Sequence, residues 1–90
     1  MVKILFFATI RDYTQEKESS VDGASSIREL LLLLSGRYGA PFQAEVLEGD
    51  NISDRVIVLV NGKHIAHTGG QETPLKDGDT VAIFPIIGGG

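Results

Sequence analysis

Apolar positions along this chain change their spacing from segment to segment, and each spacing predicts an element. From Val2 to Ala8 nearly every residue is apolar, which predicts a central strand covered on one face and partly covered on the other. Arg11-Asp12-Tyr13-Thr14-Gln15-Glu16 is polar and predicts a turn, and Lys17 to Val21 predicts a short strand folded back on the first as a hairpin. After the loop Asp22-Gly23-Ala24-Ser25, apolar residues recur at Ile27, Leu30, Leu31, Leu34 and Tyr38, the stripe of one helix face. Ser26-Ile27-Arg28-Glu29 heads that helix with the spacing of a capping box, in which the Ser26 hydroxyl caps a helical N–H and Glu29 reaches back to the Ser26 N–H. Gly39 followed by Pro41 ends it. Leu32 and Leu33 lie off the stripe and are expected to widen the buried face, with contact to a partner as the alternative.

The stretch from 40 to 54 carries the weakest pattern: a short helix over Phe42 to Leu47, then a turn at Glu48-Gly49-Asp50-Asn51. Arg55 to Val60 is β-branched and bounded by turn residues, which predicts a strand. Asn61-Gly62 is a strong hairpin signal, and Lys63-His64-Ile65-Ala66 is its return strand. Gly69-Gly70 opens a loop that Thr73-Pro74-Leu75 closes, and Lys76-Asp77-Gly78-Asp79 is a tight turn with Gly78 available for positive φ. Thr80 to Phe84 is the last strand.

One helix over one face of a mixed sheet is an α+β solution. The first and last strands are the most apolar, so they are expected to pair in the middle, and in parallel, because the helix crossover separates them. That is the β-grasp arrangement of ubiquitin-like proteins, with four to five strands and one main helix. Residues 1–87 are expected to form the domain and residues 88–90 a flexible glycine tail. Ninety residues make one domain, with about 60 % of the unfolded surface buried, which leaves no room for a deep cleft.

Charge and composition narrow the functions. The net charge is −4, and Lys and Arg form no basic run, so neither nucleic acid nor an anionic membrane is an expected partner. Cysteine is absent, which removes disulfides, thiolate nucleophiles and cysteine-held metal centres together. No apolar run approaches the roughly 18 residues of a membrane span, and a cytoplasmic location is expected. His64 and His67 lie three apart on the hairpin return and read as surface polar residues rather than metal ligands, since two donors do not make a site. Gly69-Gly70 lacks the ending of a phosphate loop. Asp77 and Asp79 flank a turn and read as solvated carboxylates.

The chemistry is concentrated at the end of the chain. Phe84-Pro85-Ile86-Ile87 runs into Gly88-Gly89-Gly90. Glycine lacks Cβ, so such a run passes through slots too narrow for any side chain. Read as a free C-terminus, it presents the Gly90 carboxylate on a slender arm, and Pro85 stiffens the exit from the fold.

Lys3-Ile4-Leu5-Phe6-Phe7-Ala8 followed by Arg11, the Leu-rich helix ending Arg37-Tyr38-Gly39, Val60-Asn61-Gly62, Pro74-Leu75 with Asp77-Gly78-Asp79 and Val81-Ala82, and Phe84-Pro85 before Gly89-Gly90 together resemble the small subunit of molybdopterin synthase. That is the MoaD-type branch of the ubiquitin-like sulfur carriers, with the thiamine-pathway carrier ThiS as a close relative. The resemblance covers nearly the whole chain, and its specificity lies in the order of the pieces.

The resemblance implies a carrier that holds no cofactor and binds no metal of its own. An E1-like adenylating enzyme would activate the Gly90 carboxylate with ATP and Mg, and a sulfur donor would convert the acyl-adenylate to a thiocarboxylate. The tail would then enter the large subunit of molybdopterin synthase and give its sulfur to cyclic pyranopterin monophosphate. Gly90 would be the attachment point, Gly88 and Gly89 the arm, Phe84 and Pro85 the root of the arm, and Arg11 a contact to the E1-like partner. Two features depart from the pattern: a third glycine precedes the Gly-Gly, and Ile86-Ile87 is bulkier than the Pro-Val often found there. The segment from Ala40 to Asp54 is longer than in thiamine carriers, which argues against that role. Carriers for tungsten cofactor, thiamine, tRNA thiolation or cysteine share this body and tail. A ubiquitin-like protein modifier, joined to lysines through an isopeptide bond, and an interaction module with an inert tail are the alternatives from other classes.

Overall fold

The computed structural model describes residues 1–86, so the expected glycine tail at 88–90 lies outside the described residues. In chain order the elements are β1 (Val2–Phe6), α1 (Ile10–Thr14), β2 (Glu18–Val21), α2 (Ile27–Tyr38), α3 (Ala40–Val46), β3 (Leu47–Glu48), β4 (Asn51–Ile52), β5 (Val56–Val60), β6 (Lys63–His64) and β7 (Thr80–Pro85). Two 3-10 turns, Ile65–His67 and Gly70–Glu72, lie between β6 and β7.

The main sheet has five strands in the order β2-β1-β7-β5-β6. β1 and β7 pair in parallel at its centre, with Ile4 opposite Val81 and Phe6 opposite Ile83. β2 and β5 flank that pair in antiparallel register, and β6 pairs with β5 through the Asn61-Gly62 turn. Asn61 and Gly62 have φ of 51° and 84°, the two left-handed positions that a type I′ hairpin turn requires. This is the β-grasp topology that the apolar pattern predicts.

α2 crosses one face of this sheet and buries Ile27, Leu30, Leu31 and Leu34 against Ile4, Phe6, Val58, Val81 and Ile83 in one core cluster. Ser26 caps the helix as expected: its Oγ accepts the Glu29 N–H at 3.2 Å. The reciprocal arm of the capping box is displaced by one residue, because the Glu29 carboxylate takes the Ser25 N–H and Ser25 Oγ, each at 3.0 Å. Ser26 itself is extended and forms an isolated antiparallel bridge with Pro74. Those bonds hold the Glu29 carboxyl below its ordinary pKa.

Leu32 and Leu33 do not widen the buried face. They are 36% and 47% exposed, because at 100° per residue they point away from a sheet that meets α2 along one line only. Three other expectations need correction. The expected turn at Arg11 to Glu16 begins as the helical turn α1, which runs to Thr14, since Ile10 is buried and Tyr13, three residues on, packs on the core. The return strand after Gly62 stops at His64, whose Nδ1 accepts the Ala66 N–H at 3.0 Å and caps a 3-10 turn. The expected helix over Phe42 to Leu47 starts earlier, at Ala40, and gives way at Leu47 to the small hairpin β3–β4, which forms a second sheet. Phe42 closes one end of the core, with its ring set edge-on to Phe6 at 6.3 Å and 83°.

Candidate functional site

The face of the sheet turned away from α2 follows directly from strand alternation. Residues at every second position of β1, β5 and β7 are buried under the helix, and those between them, except the exposed Lys3, are half-buried on the other side. The registers set the half-buried ones in rows. Leu5 and Leu59 both face Ala82, from opposite sides, and Ile57 faces Phe84. Five apolar side chains therefore cover the middle of an otherwise polar surface, with Lys3 and Glu18 paired at 3.5 Å on its rim.

The rows run towards the exit of β7. Phe84 lies there, half-buried, and its ring stacks on Phe7 with centroids 4.3 Å apart and planes within 8°. Arg11 reaches the same place from α1. Its Nε donates to the Phe6 carbonyl at 2.8 Å, and its guanidinium carbon lies 5.9 Å from the centre of the Phe7 ring. That geometry is a cation–π contact held in position by a backbone bond. Pro85 faces Val56 in the last rung of the β5–β7 ladder, and the Ile86 N–H donates to the Arg55 carbonyl at 2.9 Å. The fold thus brings Arg11, Phe84 and Pro85 to one end of the sheet. Gly88, Gly89 and Gly90 lie outside the described residues.

Sequence reasoning missed the supports of this exit. Phe7 was legible in principle, because strand alternation from Leu5 places it on the outer face. Tyr13, Glu45 and Arg55 were not, since their contacts span long separations in sequence. The Tyr13 hydroxyl donates to Glu45 Oε2 at 2.9 Å, and that carboxylate is the main reason the Tyr13 pKa lies above its ordinary value. His64 and His67 sit with ring centres 6.1 Å apart, and no cluster of three metal-capable side chains occurs among the described residues. No helix among them is long and apolar enough to cross a membrane.

An apolar platform that leads to the departure point of a glycine arm defines a ubiquitin-like body. The model of the ThiS family matches residues 4–90, and the chain belongs to that family of ubiquitin-like sulfur carriers, whose members work with E1-like activating enzymes. It is 32% identical to the small archaeal modifier protein 3 of Haloferax volcanii, an alignment that covers 99% of this chain and 98% of that protein. Among solved structures it is similar to a chain of the BexX/CysO complex of Amycolatopsis orientalis, with a TM-score of 0.85, 27% identity and full coverage of both chains. It is likewise similar to the small archaeal modifier protein 1 of Methanosarcina acetivorans, with a TM-score of 0.84, 32% identity and coverage of 99% of this chain and 95% of that one. The β-grasp fold is thereby shared with both sulfur carriers and protein modifiers.

Proposed function

We propose that this protein carries sulfur on the carboxyl of Gly90. A carboxylate is a poor electrophile until its oxygen becomes a good leaving group. In the proposed cycle an E1-like enzyme supplies that with ATP and Mg, forming the Gly90 acyl-adenylate and releasing pyrophosphate. A sulfide-equivalent donor displaces AMP, and the product is a thiocarboxylate. Transfer of the sulfur to an acceptor, with water entering at the carbonyl carbon, restores the carboxylate. The acceptor in this reading is a pterin held by a molybdopterin synthase large subunit, a choice supported by the whole-chain pattern from Lys3-Ile4-Leu5-Phe6 to Phe84-Pro85 and Gly89-Gly90.

The observation that carries the reading is the convergence of the apolar rows on Ile86, four residues before Gly90. A partner docked on the platform receives the arm in a fixed direction, so binding energy from the body positions the reacting atom. The test is the intact mass after incubation with an E1-like enzyme, ATP, Mg and a sulfur donor. A gain equal to one oxygen replaced by sulfur, lost when Gly90 is deleted, supports the carrier. No gain with a cognate E1-like enzyme shown to be active rejects it.

A second reading, attachment to protein lysines through Gly90, is favoured by the near full-length similarity to a small archaeal modifier protein. It predicts high-mass conjugates that disappear on deletion of Gly90. Rebuilding molybdopterin synthesis from the thiocarboxylate form and a large subunit separates the two acceptors.

A further inference from the structure

The last rung of the sheet depends on Arg55. Pro85 has no N–H to give, and past Phe84 the next amide of the strand to bond β5 is that of Ile86, which donates to the Arg55 carbonyl at 2.9 Å. Arg55 directs its own N–H away from this rung, to Ser53 Oγ at 2.9 Å, so the reciprocal bond of the pair is not made. The direction in which the chain leaves β7 therefore rests on the position of one carbonyl.

The Arg55 side chain is tied to the neighbouring α3–β3 segment. It donates to the Ala44 carbonyl in the last turn of α3, where the helix dipole favours a cation. Its Nε is 3.8 Å from Glu45 Oε1 and its Nη1 is 3.6 Å from Glu48 Oε1. Glu45 is held in turn by the Tyr13 hydroxyl of α1, the helix that also carries Arg11. A single exposed ion pair fixes little. Three contacts from one planar guanidinium, on α3 and the end of β3, define the position of its backbone much more tightly.

We propose that Arg55 is a positioning residue for the tail: its side chain locks the start of β5 onto α3 so that its carbonyl sets the exit direction at Ile86. The consequence for chemistry at Gly90 rests on the carrier reading above, whereas the effect on Ile86 does not. On this view the α3–β3 segment braces the exit.

The experiment compares R55A and R55K with R28A. Arg28 donates to the Asp50 carbonyl in the same part of the molecule and, among the described residues, forms no hydrogen bond or ion pair with β7, so R28A controls for loss of charge and for loosening of that segment. Hydrogen exchange of the Ile86 amide is read by NMR beside the core amides of Val58 and Val81. R55A is expected to speed exchange at Ile86 about tenfold and to leave the core amides unchanged. In thiocarboxylate formation with the E1-like enzyme, kcat is expected to fall roughly tenfold at constant KM, because the body still docks while the terminus is misplaced. R55K, which keeps the charge without the planar fork, is expected to lie between, and R28A to change neither readout. Unchanged exchange at Ile86 in folded R55A overturns the proposal, as does parallel acceleration of all amides, which marks a general structural staple. If R55A does not fold, R55K decides: wild-type exchange at Ile86 overturns the proposal. If the wild-type protein forms no thiocarboxylate, the carrier reading fails, and the exchange data still decide the role of Arg55.

Discussion

Asp79 shows how much one buried carboxylate can organise. Its Oδ1 accepts the Asn61 side-chain amide at 3.0 Å and its Oδ2 the Lys76 N–H at 2.9 Å, while the Asn61 side-chain oxygen accepts the Thr80 N–H at 2.9 Å. Two turns far apart in sequence, at Asn61-Gly62 and at Lys76-Asp77-Gly78-Asp79, are joined through it. The Lys76 N–H, and after it the Asn61 amide, lower the Asp79 pKa from its ordinary value of 3.8. A depressed folded-state pKa means that the unfolded chain takes up the proton first on acidification. The stabilisation is therefore complete above the unfolded value and is lost as pH falls through the folded value, below 3.8. Urea midpoints measured from pH 6 down to pH 2 are expected to fall less steeply in Asp79→Asn than in the wild type. Parallel curves would show that Asp79 contributes no acid sensitivity. Arg11 differs at the same scale: it is held at the exit by a cation–π contact with Phe7 and a bond to the Phe6 carbonyl rather than by a carboxylate.

At the scale of the element, α2 separates burial from hydrophobicity. Leu31 and Leu33 are chemically identical and two residues apart, yet Leu31 is fully buried and Leu33 is nearly half exposed. Leu31→Ala is expected to cost about 2–5 kcal/mol through lost contacts and a residual cavity. Leu33→Gln is expected to change stability by no more than about 0.5 kcal/mol. Urea denaturation with an unchanged m-value reads both. A large loss for Leu33→Gln would mean that this leucine is covered in solution. The stripe Ile27, Leu30, Leu31, Leu34 and Tyr38 was legible because period and cap agree. α1 was not legible, because one turn with two apolar residues carries no period, and only the core into which Ile10 fits makes it helical.

The whole molecule is two-sided. One face of the sheet is sealed by α2, and the other presents Leu5, Ile57, Leu59, Ala82 and Phe84 half-buried in rows that end at the tail. Leu59→Arg places a cation in the middle of that face, and binding to the E1-like enzyme is expected to weaken tenfold or more, about 1.4 kcal/mol. Calorimetric titration measures it, and thermal unfolding of the variant confirms that the body is intact. Wild-type affinity in a folded Leu59→Arg protein would place the docking surface elsewhere.

Local sequence determined what local physics controls: the strands, the capped helix, the hairpin at Asn61-Gly62 and the glycine-rich end, each specified by neighbours within a few residues. The parallel pairing of β1 with β7 was also legible, because the most apolar strands must take the centre of the sheet. Tertiary structure alone decided that Leu32 and Leu33 of α2 stay exposed, that Ile10 to Thr14 forms a helical turn, and that the helix expected over Phe42 to Leu47 begins at Ala40. It alone brought Tyr13, Glu45 and Arg55 together at the exit of β7. These features depend on contacts between separate elements, such as Tyr13 with Glu45 and Arg55 with Ile86, and no pattern in one stretch of chain encodes a distance to another until the core has formed.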